Sequence, residues 1–109
     1  MQRATIHFQS QGFIVEDVSS RKPYDLLCTR LNEEVYVEVK GTRGAGDRII
    51  LTSGEVRFAK ENADSMVLFV VSGIEMDDGE AQGGRDKIVK PWQIDDESLE
   101  PMSLWYVLD

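Results

Sequence analysis

Tyr24-Asp25-Leu26-Leu27-Cys28-Thr29-Arg30-Leu31-Asn32-Glu33-Glu34-Val35-Tyr36-Val37-Glu38-Val39-Lys40 is the stretch on which the fold turns. Side chains alternate across a strand with period two, and both halves of the stretch alternate. Val35, Val37 and Val39 point one way, and Glu34, Tyr36, Glu38 and Lys40 the other. Tyr24, Leu26 and Cys28 share one face of the earlier half, opposite Asp25, Leu27 and Thr29. Too few residues separate the halves for a parallel crossover, so residues 24–30 and 34–41 are expected to pair as an antiparallel hairpin. A two-residue turn at Leu31-Asn32 pairs Arg30 with Glu33, Cys28 with Val35, Leu26 with Val37 and, by the same register, Asp25 with Glu38. A slip of one residue would put Asp25 on the valine face, which the apolar pattern disfavours. A slip of two would keep every face and set Asp25 opposite Lys40.

Two carboxylates facing each other across a hairpin repel. A hard cation, a nearby lysine or full solvation must offset that repulsion. Mg²⁺ takes one or two carboxylates together with waters and substrate phosphate oxygens, a donor set that Asp25 and Glu38 match; Mn²⁺ can serve in its place. The backbone carbonyl of Val39, between Glu38 and Lys40, is a candidate third ligand. Lys40, on the same face, can hold or help deprotonate the attacking water, while the metal lowers that water's pKa and aligns an in-line attack on phosphorus. The bland reading of Glu38 and Lys40 is a charged strand face that keeps an edge soluble.

Outward from the hairpin, residues 2–11 form a short helix with Gly12 as its stop, and residues 13–18 a first strand. Downstream, Gly41-Thr42-Arg43-Gly44-Ala45-Gly46-Asp47 is a glycine-rich loop. It is not a phosphate-cradling P-loop, because Lys40 precedes the glycines and Asp47 takes the place of that motif's lysine. Arg43 and Arg48 are candidate contacts to a substrate backbone. Residues 48–51 are a short extended piece leading to a helix at about 53–64. Thr52 and Glu55 have the spacing of a capping box there, and Val56, Ala59 and Ala63 give it a buried stripe. Glu55 is also a candidate auxiliary residue of the metal site. Residues 66–71 are a near-continuous apolar run, as expected of a strand covered on both faces, and strand, helix and strand imply a right-handed parallel crossover. Residues 77–87, acidic and glycine-rich, are expected to form a mobile loop, and residues 88–91 and 104–108 edge strands.

The chain has 109 residues, one domain's worth, with 41% hydrophobic and 29% charged residues, ordinary for a globular protein. We take residues 1–109 as a single domain with a core at about 12–72 and an acidic C-terminal extension at 73–109. Its net charge of -8 opposes simple binding to phosphate, which needs a basic face. The charge is unevenly spread. Residues 40–60 carry five cations against two carboxylates, whereas residues 61–109 carry three cations against twelve. The single cysteine, Cys28, cannot form an internal disulfide and is expected to be a buried small hydrophobe. The lone His7 has no partner for a zinc site. No apolar run is long enough to span a bilayer, no signal peptide is evident, and the cytoplasm is the expected compartment. Trp92 and the Trp105-Tyr106 pair are candidates to stack bases, to close the core or to form a partner surface.

Asp25, twelve intervening residues and then Glu38-Val39-Lys40 resemble the D-x(n)-E-x-K signature of the PD-(D/E)xK restriction-endonuclease-like superfamily. The surrounding words are more specific. Tyr24-Asp25-Leu26-Leu27-Cys28, Val37-Glu38-Val39-Lys40-Gly41-Thr42 and Ile50-Leu51-Thr52 with Glu55 and Ala59 resemble the NO VEIN C-terminal-type domain, an Mrr-like branch, over about residues 12–72. The resemblance implies an α/β (α+β) mixed sheet: a helix, three antiparallel strands, a crossover helix and a parallel strand, here with a C-terminal strand extension. It also implies Asp25 and Glu38 as metal ligands, a catalytic Lys40, and DNA as substrate. Many relatives add an acid on the first helix, but residues 1–12 contain no Asp or Glu. Either Asp25, Glu38 and water suffice, or the rest of that helix lies upstream.

Two functions follow from different classes. One is Mg²⁺-dependent hydrolysis of a DNA phosphodiester, for which so small a domain would need a homodimer or additional modules to cut both strands. The other is a catalytically inactive nuclease-like fold that serves as a protein or nucleic-acid interaction module through its acidic last third.

Overall fold

A computed structural model describes residues 1–46, 48–102 and 106–108. Its order is α1 (Gln2–Ser10), β1 (Ile14–Asp17), β2 (Leu26–Arg30), β3 (Glu33–Gly41), α2 (Ser53–Glu61), a 3₁₀ turn at Ala63–Ser65, β4 (Met66–Ser72), β5 (Glu75–Asp77), β6 (Glu80–Gln82), β7 (Arg85–Val89) and a second 3₁₀ turn at Asp96–Ser98. Five strands form one mixed sheet in the order β1-β2-β3-β4-β7, with β3 and β4 parallel and the other neighbours antiparallel. The α/β mixed sheet expected from the sequence is therefore present.

The hairpin has the expected register, with Arg30 opposite Glu33, Cys28 opposite Val35 and Leu26 opposite Val37. Alternation then sorts the apolar side chains into two cores, one on each face of the sheet. Ala4 and Phe8 of α1 join Phe13, Leu26, Cys28, Val35, Val37, Val67, Phe69 and Val71 on one side. Ala59 of α2 joins Met66, Leu68, Val70 and Trp92 on the other, with Tyr36, Phe58, Ile49 and Leu51 packed against them. All seven residues of β4 are buried, which is why that segment lacks alternation: a strand covered on both faces needs apolar groups on both.

The regular ladder stops one residue short of the expected Asp25–Glu38 pair. The Asp25 amide donates to the Val37 carbonyl at 3.0 Å, and the Asp25 carbonyl accepts from Val18 at 2.9 Å. Alternation breaks at this point. Tyr24, expected beside Leu26 and Cys28, lies on the opposite face, its ring stacked 4.8 Å from Phe58 and 4.9 Å from Tyr36. Burying a tyrosine against α2 overrides the period-two pattern there.

Other boundaries also differ. The second helix ends at Glu61, and Ala63 falls in the following 3₁₀ turn. Residues 48–51 form no strand, although Ile49 and Leu51 pack on the second core. The expected mobile loop at 77–87 instead takes in the turn and second strand of a hairpin, β5 with β6, and the start of β7. Its turn residues, Asp78 and Gly79, both have positive φ, 52° and 82°, the backbone that an Asp-Gly turn supplies at low cost. The edge strand expected at 88–91 is β7, shifted towards the N-terminus. Of the last strand expected, Leu104 and Trp105 lie outside the described residues, and residues 106–108 are not in a strand. Trp92 belongs to the core, its amide donating to the Met66 carbonyl at 2.8 Å. No helix among the described residues is long and apolar enough to cross a membrane.

Candidate active site

The even-numbered face of β3 carries Glu38 and Lys40 towards α2, while Val35, Val37 and Val39 face α1. Val39 does more than separate them. Its N–H donates to Asp25 Oδ2 at 2.8 Å, so the Asp25 carboxylate is bound to the peptide group between Glu38 and Val39. In an extended strand the N–H and C=O of one residue point to the same edge, which directs the Val39 carbonyl to the Asp25 side as well. The Asp25 carboxylate, that carbonyl and the Glu38 side chain are thus neighbours, and the turn of the chain at Asp25 is what brings its carboxylate there.

Glu38 is 2% exposed. Burial, then a hydrogen bond with Glu55, then the negative charges of Asp25 and Glu55 push its pKa up to about 9, against the pull of Lys40. The Glu38 carboxyl is consequently protonated at neutral pH and donates to the Glu55 carboxylate. Burial works in the same direction on Glu55, but the hydrogen bonds from Glu38, from the Thr52 amide and from Lys40 outweigh it and hold Glu55 below its ordinary value. Lys40 Nζ donates to both Glu55 oxygens at 3.0 Å and lies 3.5 Å from Glu38 Oε1.

Glu55 enters this cluster because of how α2 begins. Thr52 is the N-cap, its hydroxyl accepting from the Glu55 amide at 3.1 Å, and the Glu55 carboxylate accepts from the Thr52 amide at 2.8 Å. The capping box expected from the sequence is therefore complete, and the same carboxylate reaches Lys40 on the sheet. Sequence spacing shows the cap but not this second contact, which depends on how the crossover lays α2 over β3.

Structure brings Asp25, Glu38, Val39, Lys40 and Glu55 together and leaves the two candidate arginines apart. Arg43 is exposed on the loop after β3, and Arg48 pairs with Glu100 at 3.2 Å on the surface. His7 lies along α1 against Phe8 and Phe69. Cys28 is fully buried, and burial pushes its thiol up to about 11, so it is inert packing. A cleft of about 400 Å³ opens elsewhere, where Asn32, Glu34, Asp64 and Lys90 line it, and includes none of the five clustered residues.

For a divalent cation the donors offered are all hard oxygens, as Mg²⁺ or Mn²⁺ prefers. Among the described residues no group of three or more His, Cys, Asp or Glu side chains could hold a metal ion. The groups left to fit such an ion are Asp25, Glu38 once it is ionised, the Val39 carbonyl and water.

The family model for the C-terminal domain of Protein NO VEIN matches residues 1–82, that is, 82 of the 109 residues. It spans α1 to β6 and includes every residue of the cluster. No curated protein and no solved structure matches the chain.

Proposed function

The chain belongs to the family of the NO VEIN C-terminal domain, and from that membership and the geometry of its cluster we propose that it is a divalent-metal-dependent deoxyribonuclease of the PD-(D/E)xK type. One observation carries the reading: the Asp25 carboxylate bound to the Val39 amide, between Glu38 and Lys40. Twelve residues separate Asp25 from Glu38 in the sequence, and this contact supports reading them with Lys40 as parts of one site.

Asp25, Glu38 and the Val39 carbonyl are the groups that would hold Mg²⁺ or Mn²⁺. When bound there, the cation would offset negative charge on a phosphodiester and lower the pKa of a coordinated water. Glu38 would have to give up its proton to solvent to serve as a ligand, since a neutral carboxyl is a poor one. Asp25 stays anchored through Oδ2 to Val39. Lys40 supplies an ammonium donor on the same face, where it orients the attacking water and balances charge on phosphate.

A second reading, an inactive nuclease-like module that binds a partner, draws support from the closed Glu38–Glu55–Lys40 network and the absence of a three-carboxylate metal group among the described residues. Incubating the protein with single- and double-stranded DNA and Mg²⁺ or Mn²⁺ separates the two. Cleavage that disappears in Asp25→Ala and in Lys40→Ala supports the nuclease. Intact DNA under every metal rejects it, and unimpaired cleavage by Lys40→Ala rejects the role given to that lysine.

A further inference from the structure

The Glu55 carboxylate serves two elements at once. Oε1 accepts from the Thr52 amide at 2.8 Å, closing the capping box of α2, and both oxygens accept from Lys40 Nζ at 3.0 Å. A capping box asks only for one acceptor at this position, and glutamine meets that need as well as glutamate. Neither the second oxygen nor the negative charge is required to start the helix. Lys40 uses both.

Lys40 and Glu55 are about one-fifth exposed, 21% and 19%, so theirs is not a loose surface pair of the kind that contributes little and is readily exchanged for water. A lysine side chain has four rotatable bonds, and fixing its end costs entropy. Here the ammonium is fixed from two sides, by Glu55 on α2 and by Glu38 Oε1 at 3.5 Å on its own strand. Glu55 in turn cannot swing away from the sheet without releasing the Thr52 amide. These contacts tie the start of α2, the end of β3 and the ammonium group together. Glu55 is not assigned as a metal ligand, because its oxygens are engaged by Lys40 and Thr52 and no three-residue metal group is present among the described residues.

We propose that Glu55 is the positioning residue for Lys40, holding the ammonium in place beside Glu38 before any substrate arrives. Its bearing on catalysis rests on the nuclease reading above: a donor already in place needs no reorganisation at the moment of reaction. Glu55 acts through Lys40 and touches no reacting atom.

Two variants divide the residue's roles. Glu55→Gln keeps an acceptor for the Thr52 amide but loses the charge and one acceptor for Lys40, whereas Thr52→Ala removes the cap hydroxyl and leaves the Glu55–Lys40 contact. The first readout is ¹⁵N relaxation of the lysine ammonium groups in the metal-free protein. The Lys40 ammonium is expected to be immobilised in wild type and in Thr52→Ala, and as mobile in Glu55→Gln as that of exposed Lys22. The second readout is steady-state DNA cleavage with Mg²⁺. Glu55→Gln is expected to lower kcat on the order of 10- to 100-fold with KM changed by less than about twofold. Thr52→Ala is expected to lower the melting temperature and largely spare kcat. A Lys40 ammonium that is mobile in wild type, or equally rigid in Glu55→Gln, overturns the proposal, as does equal loss of kcat in the two variants. Should wild type fail to cut DNA with any metal, the nuclease reading fails, while the ammonium comparison still decides whether Glu55 positions Lys40.

Discussion

Replacing Glu38 by glutamine is expected to stabilise the protein at neutral pH, and the size of the effect follows from the buried carboxyl. The folded chain holds the Glu38 proton until about pH 9, whereas the unfolded chain releases it near the ordinary 4.5. In that window the folded state binds more protons than the unfolded state, so stability falls as pH rises from 4.5 to 9. At about 1.36 kcal/mol per pH unit, the cost accumulated by pH 7 is at most roughly 3 kcal/mol. Glutamine has no proton to lose, its amide can donate to Glu55 as the protonated carboxyl does, and its oxygen can still face Lys40. Glu38→Gln should therefore be more stable than wild type by about 1–3 kcal/mol at pH 7, nearly equal at pH 4.5, and further ahead at pH 8.5. Urea melts followed by tryptophan fluorescence at those three pH values measure the difference. The variant should also lose any stabilisation by Mg²⁺, since a carboxamide is a weaker ligand than a carboxylate. A wild-type stability that is flat from pH 5 to 8.5, or a variant less stable at each pH, would refute the reasoning.

Asp25 divides its two roles between two variants. Asp25→Ala strips the Val39 N–H of its acceptor and should cost about 1–3 kcal/mol, while Asp25→Asn retains an oxygen acceptor and should cost less, as chemical denaturation and hydrogen exchange at the Val39 amide will show. Cys28, fully buried with its thiol pushed up to about 11, should resist an aromatic disulfide reagent at pH 8 in the native protein and react promptly in urea. Gly84 has φ 101°, and a Cβ there would sit 2.8 Å from Val71 Cγ1 and 3.0 Å from the Ser72 carbonyl. Gly84→Ala should therefore cost about 1–3 kcal/mol in a urea melt, where a neutral result would show that β7 does not pack as closely as described.

Sheet order around the hairpin was legible because alternation is a local signal. The three valines of β3 and the pair Leu26 and Cys28 fix which side of the strand is apolar, and a slip of one residue would separate them. Asp25 marks where local reasoning stops. Its ladder partner was inferred by continuing the register, whereas the pull of Phe58 and Tyr36 on Tyr24 bends the chain and gives the carboxylate to the Val39 amide. The double use of Glu55 was out of reach for a similar reason, since the cap is written in adjacent residues and the Lys40 contact depends on the packing of α2 over β3. The β5–β6 hairpin is a different matter. Its Asp78-Gly79 signal was present in the sequence but was outweighed by the acidic, glycine-rich composition around it.

Calorimetric titration of Mn²⁺ into wild-type protein and Asp25→Asn at pH 8, with DNA cleavage assayed on the same samples, tests the metal-dependent nuclease site most directly. Saturable binding in wild type that releases a proton as Glu38 ionises, is lost in Asp25→Asn and is matched by metal-dependent cutting is the predicted result. Equal, unsaturating heats in both proteins together with intact DNA would contradict it.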